Sequence, residues 1–222
     1  PFNGQNVVGG ELFMDNAVIE HAITGVLAFG KVTAINNSVF FNNKVYVNLK
    51  GVFAINDNKS ESIITGCDFT FTPPLRDGST GPVTFVDIED VFSGLPPEFV
   101  NNNFVNTIPG TPLIQKPTAI NAVNSKFFTM GNIFNELFFG ILSINTLAGL
   151  ETNLNIKSNT FIETRNSIRI VGGRFEVIEN NTITGTDLTG SVSSSTSFFG
   201  IFLVGTSGFI IQDNDITTTT LR

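Results

Sequence analysis

Apolar residues in this chain fall into short runs such as Ser167-Ile168-Arg169-Ile170-Val171, Gly200-Ile201-Phe202-Leu203-Val204 and Phe209-Ile210-Ile211, separated by Gly, Asn and Asp. No segment carries a helical apolar period with caps, so the runs predict short strands. A four-residue phrase recurs among them. It reads Ser158-Asn159-Thr160-Phe161, and returns as Asp15-Asn16-Ala17-Val18, Asn36-Asn37-Ser38-Val39, Gly66-Cys67-Asp68-Phe69, Asn101-Asn102-Asn103-Phe104, Gly131-Asn132-Ile133-Phe134, Asn180-Asn181-Thr182-Ile183 and Asp213-Asn214-Asp215-Ile216. Aligned in this way, the second place is Asn seven times and Cys67 once, and the fourth is always Val, Ile or Phe.

Fourth-place residues are separated by 21, 30, 35, 30, 27, 22 and 33 positions. A short unit lengthened by insertions is the mark of a solenoid. Each unit can hold two or three strands, and stacking units about 4.8 Å apart pairs each strand with its equivalent in the next coil. Hairpin turns of the Asn-Gly type are nearly absent, which argues against an antiparallel barrel. The expectation is an all-β parallel β-helix of about eight coils, occupying residues 1–222 as one domain. Val18, Val39, Phe69, Phe104, Phe134, Phe161, Ile183 and Ile216 would stack inward.

The second-place column, Asn16, Asn37, Asn102, Asn132, Asn159, Asn181 and Asn214, predicts a ladder. Asn tolerates the left-handed backbone of a tight turn, and stacked amides can bond above and below, so the buried polar row is satisfied. Gly25-Val26, Gly140-Ile141, Ser167-Ile168, Gly200-Ile201, Ala119-Ile120 and Val83 predict a second inward column. Three insertions, 72–82, 107–117 and 185–197, leave the coil at one corner, the first two on adjacent coils. Loops added on one edge of a solenoid are where contacts are usually built.

Composition narrows the chemistry. Charged residues are 14% of the chain and the net charge is −7, which argues against nucleic acid because phosphate recognition needs a basic patch. One cysteine gives neither an internal disulfide nor a thiolate metal cluster. No stretch reaches the length of a membrane span, so membrane insertion is not expected. The absence of a leader and the abrupt ends suggest a piece of a larger protein, with its neighbouring domains as partners.

The repeated Asn-x-Phe/Ile/Val unit and its Asn column resemble the right-handed parallel β-helix proteins of the pectate-lyase-like superfamily, over roughly residues 8–220. Stretches such as NNSVFFNN, FFGILSIN and IKSNTFIETRNSIRI are also similar to β-helical regions of large bacterial surface proteins exported by the type IX route. The resemblance implies a right-handed helix and an extracellular or cell-surface location. It does not imply one activity, because this fold carries lyases, hydrolases, adhesins and inert stalks.

Candidate chemistry is sparse. Asp87, Glu89 and Asp90 form the densest acidic cluster, and Asp87 and Glu89 share a strand face. They could hold a calcium ion, the only cofactor the residues suggest. Arg76, Asp77, Gln115 and Lys116 sit in the corner loops as candidate binding residues. Asp213 and Asp215 flank a ladder turn, Arg169 points outward between Ile168 and Ile170, and His21, the only histidine, lies near a turn. The adjacent pairs Phe40-Phe41, Phe127-Phe128, Phe138-Phe139 and Phe198-Phe199 put some aromatic rings outside, since alternation cannot bury both members. No catalytic set emerges. The expected function is a structural or adhesive module that contacts a carbohydrate or surface protein through the corner loops. The alternative is a polysaccharide lyase or glycoside hydrolase.

Overall fold

The computed structural model describes residues 12–29, 33–51, 62–73, 75, 83–91, 95–109, 115–188 and 198–221. These form three all-parallel sheets. Sheet A stacks Leu12–Asp15, Thr33–Asn36, Ile63–Thr65, Glu98–Val100, Phe128–Met130, Asn155–Lys157, Val177–Glu179 and Ile210–Gln212. Sheet B stacks Val18–Glu20, Val39–Phe41, Asp68–Phe71, Asn103–Asn106, Ile133–Asn135, Thr160–Ile162, Thr182–Leu188 and Asp215–Leu221. Sheet C stacks Thr24–Phe29, Val45–Lys50, Thr84–Glu89, Thr118–Val123, Phe139–Ile144, Asn166–Val171 and Phe199–Val204. The chain visits A, B and C in turn and then starts the next coil. The fold is a parallel β-helix. Among the described residues no helix is long and apolar enough to cross a membrane.

Sheet B carries the spine of the core. Phe40, Phe69, Phe104, Phe134 and Phe161 stack ring on ring, with centroids 4.9, 4.8, 5.0 and 4.6 Å apart and planes within 17°. All five rings are fully buried. Such offset pairs add about 0.5–1.5 kcal/mol each beyond the area they bury. Here the structure corrects the first two coils. Phe40 pairs with Phe69 and Ile19 with Phe40, so Val18 and Val39 face outward and are exposed. The four-residue phrase is shifted by one position there.

Sheet C departs from simple alternation. Its second and third residues are both buried in the coils of Val45–Lys50, Thr84–Glu89, Thr118–Val123, Phe139–Ile144 and Asn166–Val171. The second residue faces the Phe spine, and its size follows the space available. A Cβ on Gly140 would lie 2.7 Å from a ring carbon of Phe161. Two coils instead place Tyr46 and Phe85 there, with ring centroids 4.7 Å apart. Val86, not Val83, stands in the aliphatic column with Val47 and Ile120. Val83 is buried just ahead of the strand.

Candidate functional site

The polar side chains act mainly from coil to coil. At the A–B corner the ladder is continuous from Asn102 onward. Asn102 Nδ2 donates to Asn132 Oδ1 at 2.9 Å, Asn132 Nδ2 to Asn159 Oδ1 at 3.0 Å, Asn159 Nδ2 to Asn181 Oδ1 at 3.1 Å, and Asn181 Nδ2 to Asn214 Oδ1 at 2.8 Å. Each amide also reaches a sheet A carbonyl of the preceding coil, as Asn132 Nδ2 does at Phe99 O, 2.8 Å. Thr129, in the inward column of sheet A, joins this row by donating to Asn159 Oδ1 and accepting from Asn132 Nδ2.

Asn16 and Asn37 are not members of that row. Both have left-handed backbones, with φ of 52° and 46°, and both are exposed. They occupy the turn position held elsewhere by Gly66, Asn101, Gly131, Ser158, Asn180 and Asp213. Ala17, Ser38 and Cys67 fill the ladder column in the first three coils. Ser38 Oγ accepts from the Ala17 N–H at 3.2 Å. The Cys67 thiol lies 3.3 Å from Thr65 O and 3.5 Å from Ile35 O, and burial pushes it up to about 11. The doublet Asn36-Asn37 hides the shift, because either Asn can be aligned with the ladder.

A similar device serves the B–C corner. Asn43 Oδ1 accepts from the Ala22 N–H at 2.8 Å, while its Nδ2 donates to Ile19 O at 2.9 Å. This rung was not foreseen from the residues, although the pair Asn42-Asn43 repeats the Asn-Asn signal. His21 stands at that corner with φ 58° and its ring edge-on to Phe41, at 5.7 Å. Tyr46 spends its hydroxyl on Thr70 O at 2.7 Å, and burial pushes its pKa well up.

The acidic cluster is divided among separate rungs on the outside of sheet C. Asp87 Oδ1 accepts from Asn121 Nδ2 at 2.8 Å and Oδ2 from Asn48 Nδ2 at 3.3 Å. Glu89 pairs with Lys50, whose pKa it raises chiefly through that hydrogen bond. Asp90, exposed at a turn with φ 59°, accepts from Asn124 Nδ2 at 3.2 Å. A calcium ion needs oxygen ligands converging on it, whereas amide donors and an ammonium face these carboxylates. The residues as arranged do not fit the ion. Among the described residues no group of three His, Cys, Asp or Glu could hold a metal.

Arg76 and Asp77 lie outside the described residues, so their loop carries no structural account. Lys116 makes an ion pair of 2.5 Å with Glu136, both side chains being largely buried, and Gln115 beside it is half-buried. The stems of the first two insertions do meet: Thr72 Oγ1 and Thr107 Oγ1 are 2.6 Å apart, and the Thr107 N–H donates to Phe71 O. Residues 185–188 of the third insertion extend a sheet B strand, and 189–197 lie outside the described residues.

The outer face of sheet C changes character along the stack. Asn48, Asp87 and Asn121 form one row, which continues as Leu142, Arg169 and Phe202. The Arg169 guanidinium carbon lies 5.2 Å from the ring centroid of Phe202 and 5.9 Å from that of Phe139. Its Nε is buried and has no hydrogen-bond partner. Three of the four Phe pairs resolve by direction: Phe40 and Phe127 are fully buried and Phe198 packs on the core, while Phe41, Phe128 and Phe199 are half-buried; Phe138 and Phe139 are both half-buried.

Another buried acid was missed from the residues alone. Glu176 is fully buried at the C–A corner, accepting from Thr152 Oγ1 at 2.5 Å, with its second oxygen unpartnered. Its coil equivalent is Leu154, since the Val177 N–H bonds to Leu154 O. Only knowledge of that register would have placed it inside.

No protein family, curated protein or solved structure matches the chain.

Proposed function

We propose that this chain is a structural and adhesive β-helical module of an extracellular or cell-surface protein, of the pectate-lyase-like kind and akin to the type IX-secreted surface proteins. One observation carries the reading: the side chains best suited to chemistry are spent between coils. Asp87 is held by two amides, Glu89 by Lys50, and Lys116 by Glu136. A row of carboxylates tied in this way holds a stack together. A general acid or base has to be free to exchange its proton with a substrate.

Contact with a partner is assigned to the edge where the insertions leave the coil and to the adjoining outer face of sheet C. Aromatic rings beside an arginine are the residue types enriched at contact surfaces. Rings presented from a rigid sheet also suit stacking against the apolar faces of a sugar. The partner is accordingly a glycan or a surface protein, and neighbouring domains of the same protein adjoin the module.

The test is a panel of neutral and acidic glycans, read both for binding and for newly formed chain ends or unsaturated products. Binding without product, weakened by Arg169→Ala, is the expected result. Cleavage abolished by Asp87→Asn or Arg169→Ala would overturn the structural reading in favour of a lyase or hydrolase.

A further inference from the structure

We propose that the outer face of sheet C around Arg169 docks a protein partner, one that presents an Asp or Glu carboxylate flanked by aliphatic side chains. The inference deepens the outer-face reading above and rests on it.

Arg169 carries a charge that no group beside it answers. The ion pairs among the described residues join Lys50 to Glu89, Lys116 to Glu136 and Lys157 to Glu179, and none includes Arg169. Its Nε is buried without a hydrogen-bond partner, and its guanidinium lies against the Phe202 and Phe139 rings. The residue as a whole is half-buried, so the rest of the guanidinium stays within reach of a ligand. Ring contacts offset part of the hydration a guanidinium loses, but they give its N–H groups no acceptor. A carboxylate does so, through two parallel bonds on the planar fork.

The surroundings decide what carries that carboxylate. Leu142 precedes Arg169 in its row and Phe202 follows it, and the next outward column reads Ile144, Val171 and Val204. The Asn166 amide, on the same strand, already donates to Phe138 O. A uronic acid sets hydroxyl groups around its carboxylate, and aliphatic columns leave such groups unmet. An Asp or Glu between aliphatic residues brings apolar surface instead. That surface matches Ile144 and Val171, and by excluding water it strengthens the charge pair beneath it. Elsewhere on the same face the charges are matched within the chain, Asp87 by Asn48 and Asn121 and Glu89 by Lys50. The unmatched charge among apolar neighbours marks where the partner sits.

This patch lies on the flank of the stack. Arg169 and Val171 have a coil on either side, paired through Leu142 and Ile144 and through Phe202 and Val204. A further coil would stack beyond the strand Phe199–Val204 and leave the outer face of Arg169 as it is.

The experiment selects a displayed library of short random peptides on the whole chain and measures the recovered peptides by calorimetry. They should share an Asp or Glu between aliphatic residues. Replacing that acid by its amide should weaken binding about 10- to 150-fold, the range for hydrogen bonds to a charged group. Against Arg169→Met the same replacement should cost about 2-fold or less, the scatter expected when the two groups no longer meet. Lys157→Met, on the outer face of sheet A, should bind the peptides as the unaltered chain does. Recovered peptides without an acid, or an equal loss against both chains, would overturn the proposal. So would Arg169-dependent binding of a uronic-acid oligosaccharide in place of peptides, or self-association of the chain abolished by Arg169→Met. Either of those last two results leaves the adhesive reading standing, whereas a chain that binds neither peptide nor glycan fails both.

Discussion

Removing one central rung should cost far more than removing an Asn one place earlier in the same kind of turn. Asn132 is fully buried. Its Oδ1 accepts from the backbone and the side chain of Asn102, and its Nδ2 donates to Phe99 O, Thr129 Oγ1 and Asn159 Oδ1. Asn132→Ala orphans at least the Asn102 N–H and weakens the satisfaction of the Phe99 carbonyl. At about 1–3 kcal/mol for each buried group left without a partner, the expected loss is about 2–6 kcal/mol. Asn37 makes one exposed bond, to Asp15, and serves mainly to allow the left-handed turn, so Asn37→Ala should cost about 1–2 kcal/mol. Urea unfolding followed by circular dichroism compares the two, with hydrogen exchange locating the opened coils because a solenoid need not unfold as one unit. Equal losses in the two variants would refute the argument that the ladder column, and not the turn position, carries the stabilising amides.

Further outcomes follow from single contacts. Gly140→Val should destabilise by about 1–3 kcal/mol, seen as a lower unfolding midpoint, because its side chain would meet the Phe161 ring and the Ser167 carbonyl at 2.7 Å. Cys67, buried and with its thiol pushed up to about 11, should resist alkylation at pH 8 in the native chain and react promptly in denaturant. Glu179 is held below the usual carboxylate range by hydrogen bonds from Lys157 and then Gln212. Its contribution to stability is therefore present above the unfolded-state value and lost as pH falls through the depressed folded-state value. A urea midpoint measured against pH should drop over that window, and Lys157→Met should flatten the drop.

The fold was legible because its repeat writes the same physical demand many times. A turn followed by a ladder residue and then an apolar residue of the inward column recurs from Cys67 to Asn214, and each copy corrects errors in reading the others. The first two coils were misread because Asn36-Asn37 offers an amide at two adjacent places and Val39 is as apolar as Phe40. Period-two alternation then carried the one-residue error onto the wrong face. Arg169 was placed correctly as outward between Ile168 and Ile170, since that end of its strand alternates. The partners of Asp87 were out of reach, because Asn48 and Asn121 lie 39 and 34 residues away and meet it only through coil register. Glu176 was hidden for the same reason: nothing near it in the chain marks its corner as interior.

The most direct measurement is the exchange of Asn side-chain amide protons, resolved by NMR with residue assignment. The account predicts slow exchange for Asn102, Asn132, Asn159 and Asn181, and fast exchange for Asn16 and Asn37. Fast exchange at the first four, or protection at Asn16 and Asn37 to match them, would contradict the ladder and the coil register built on it.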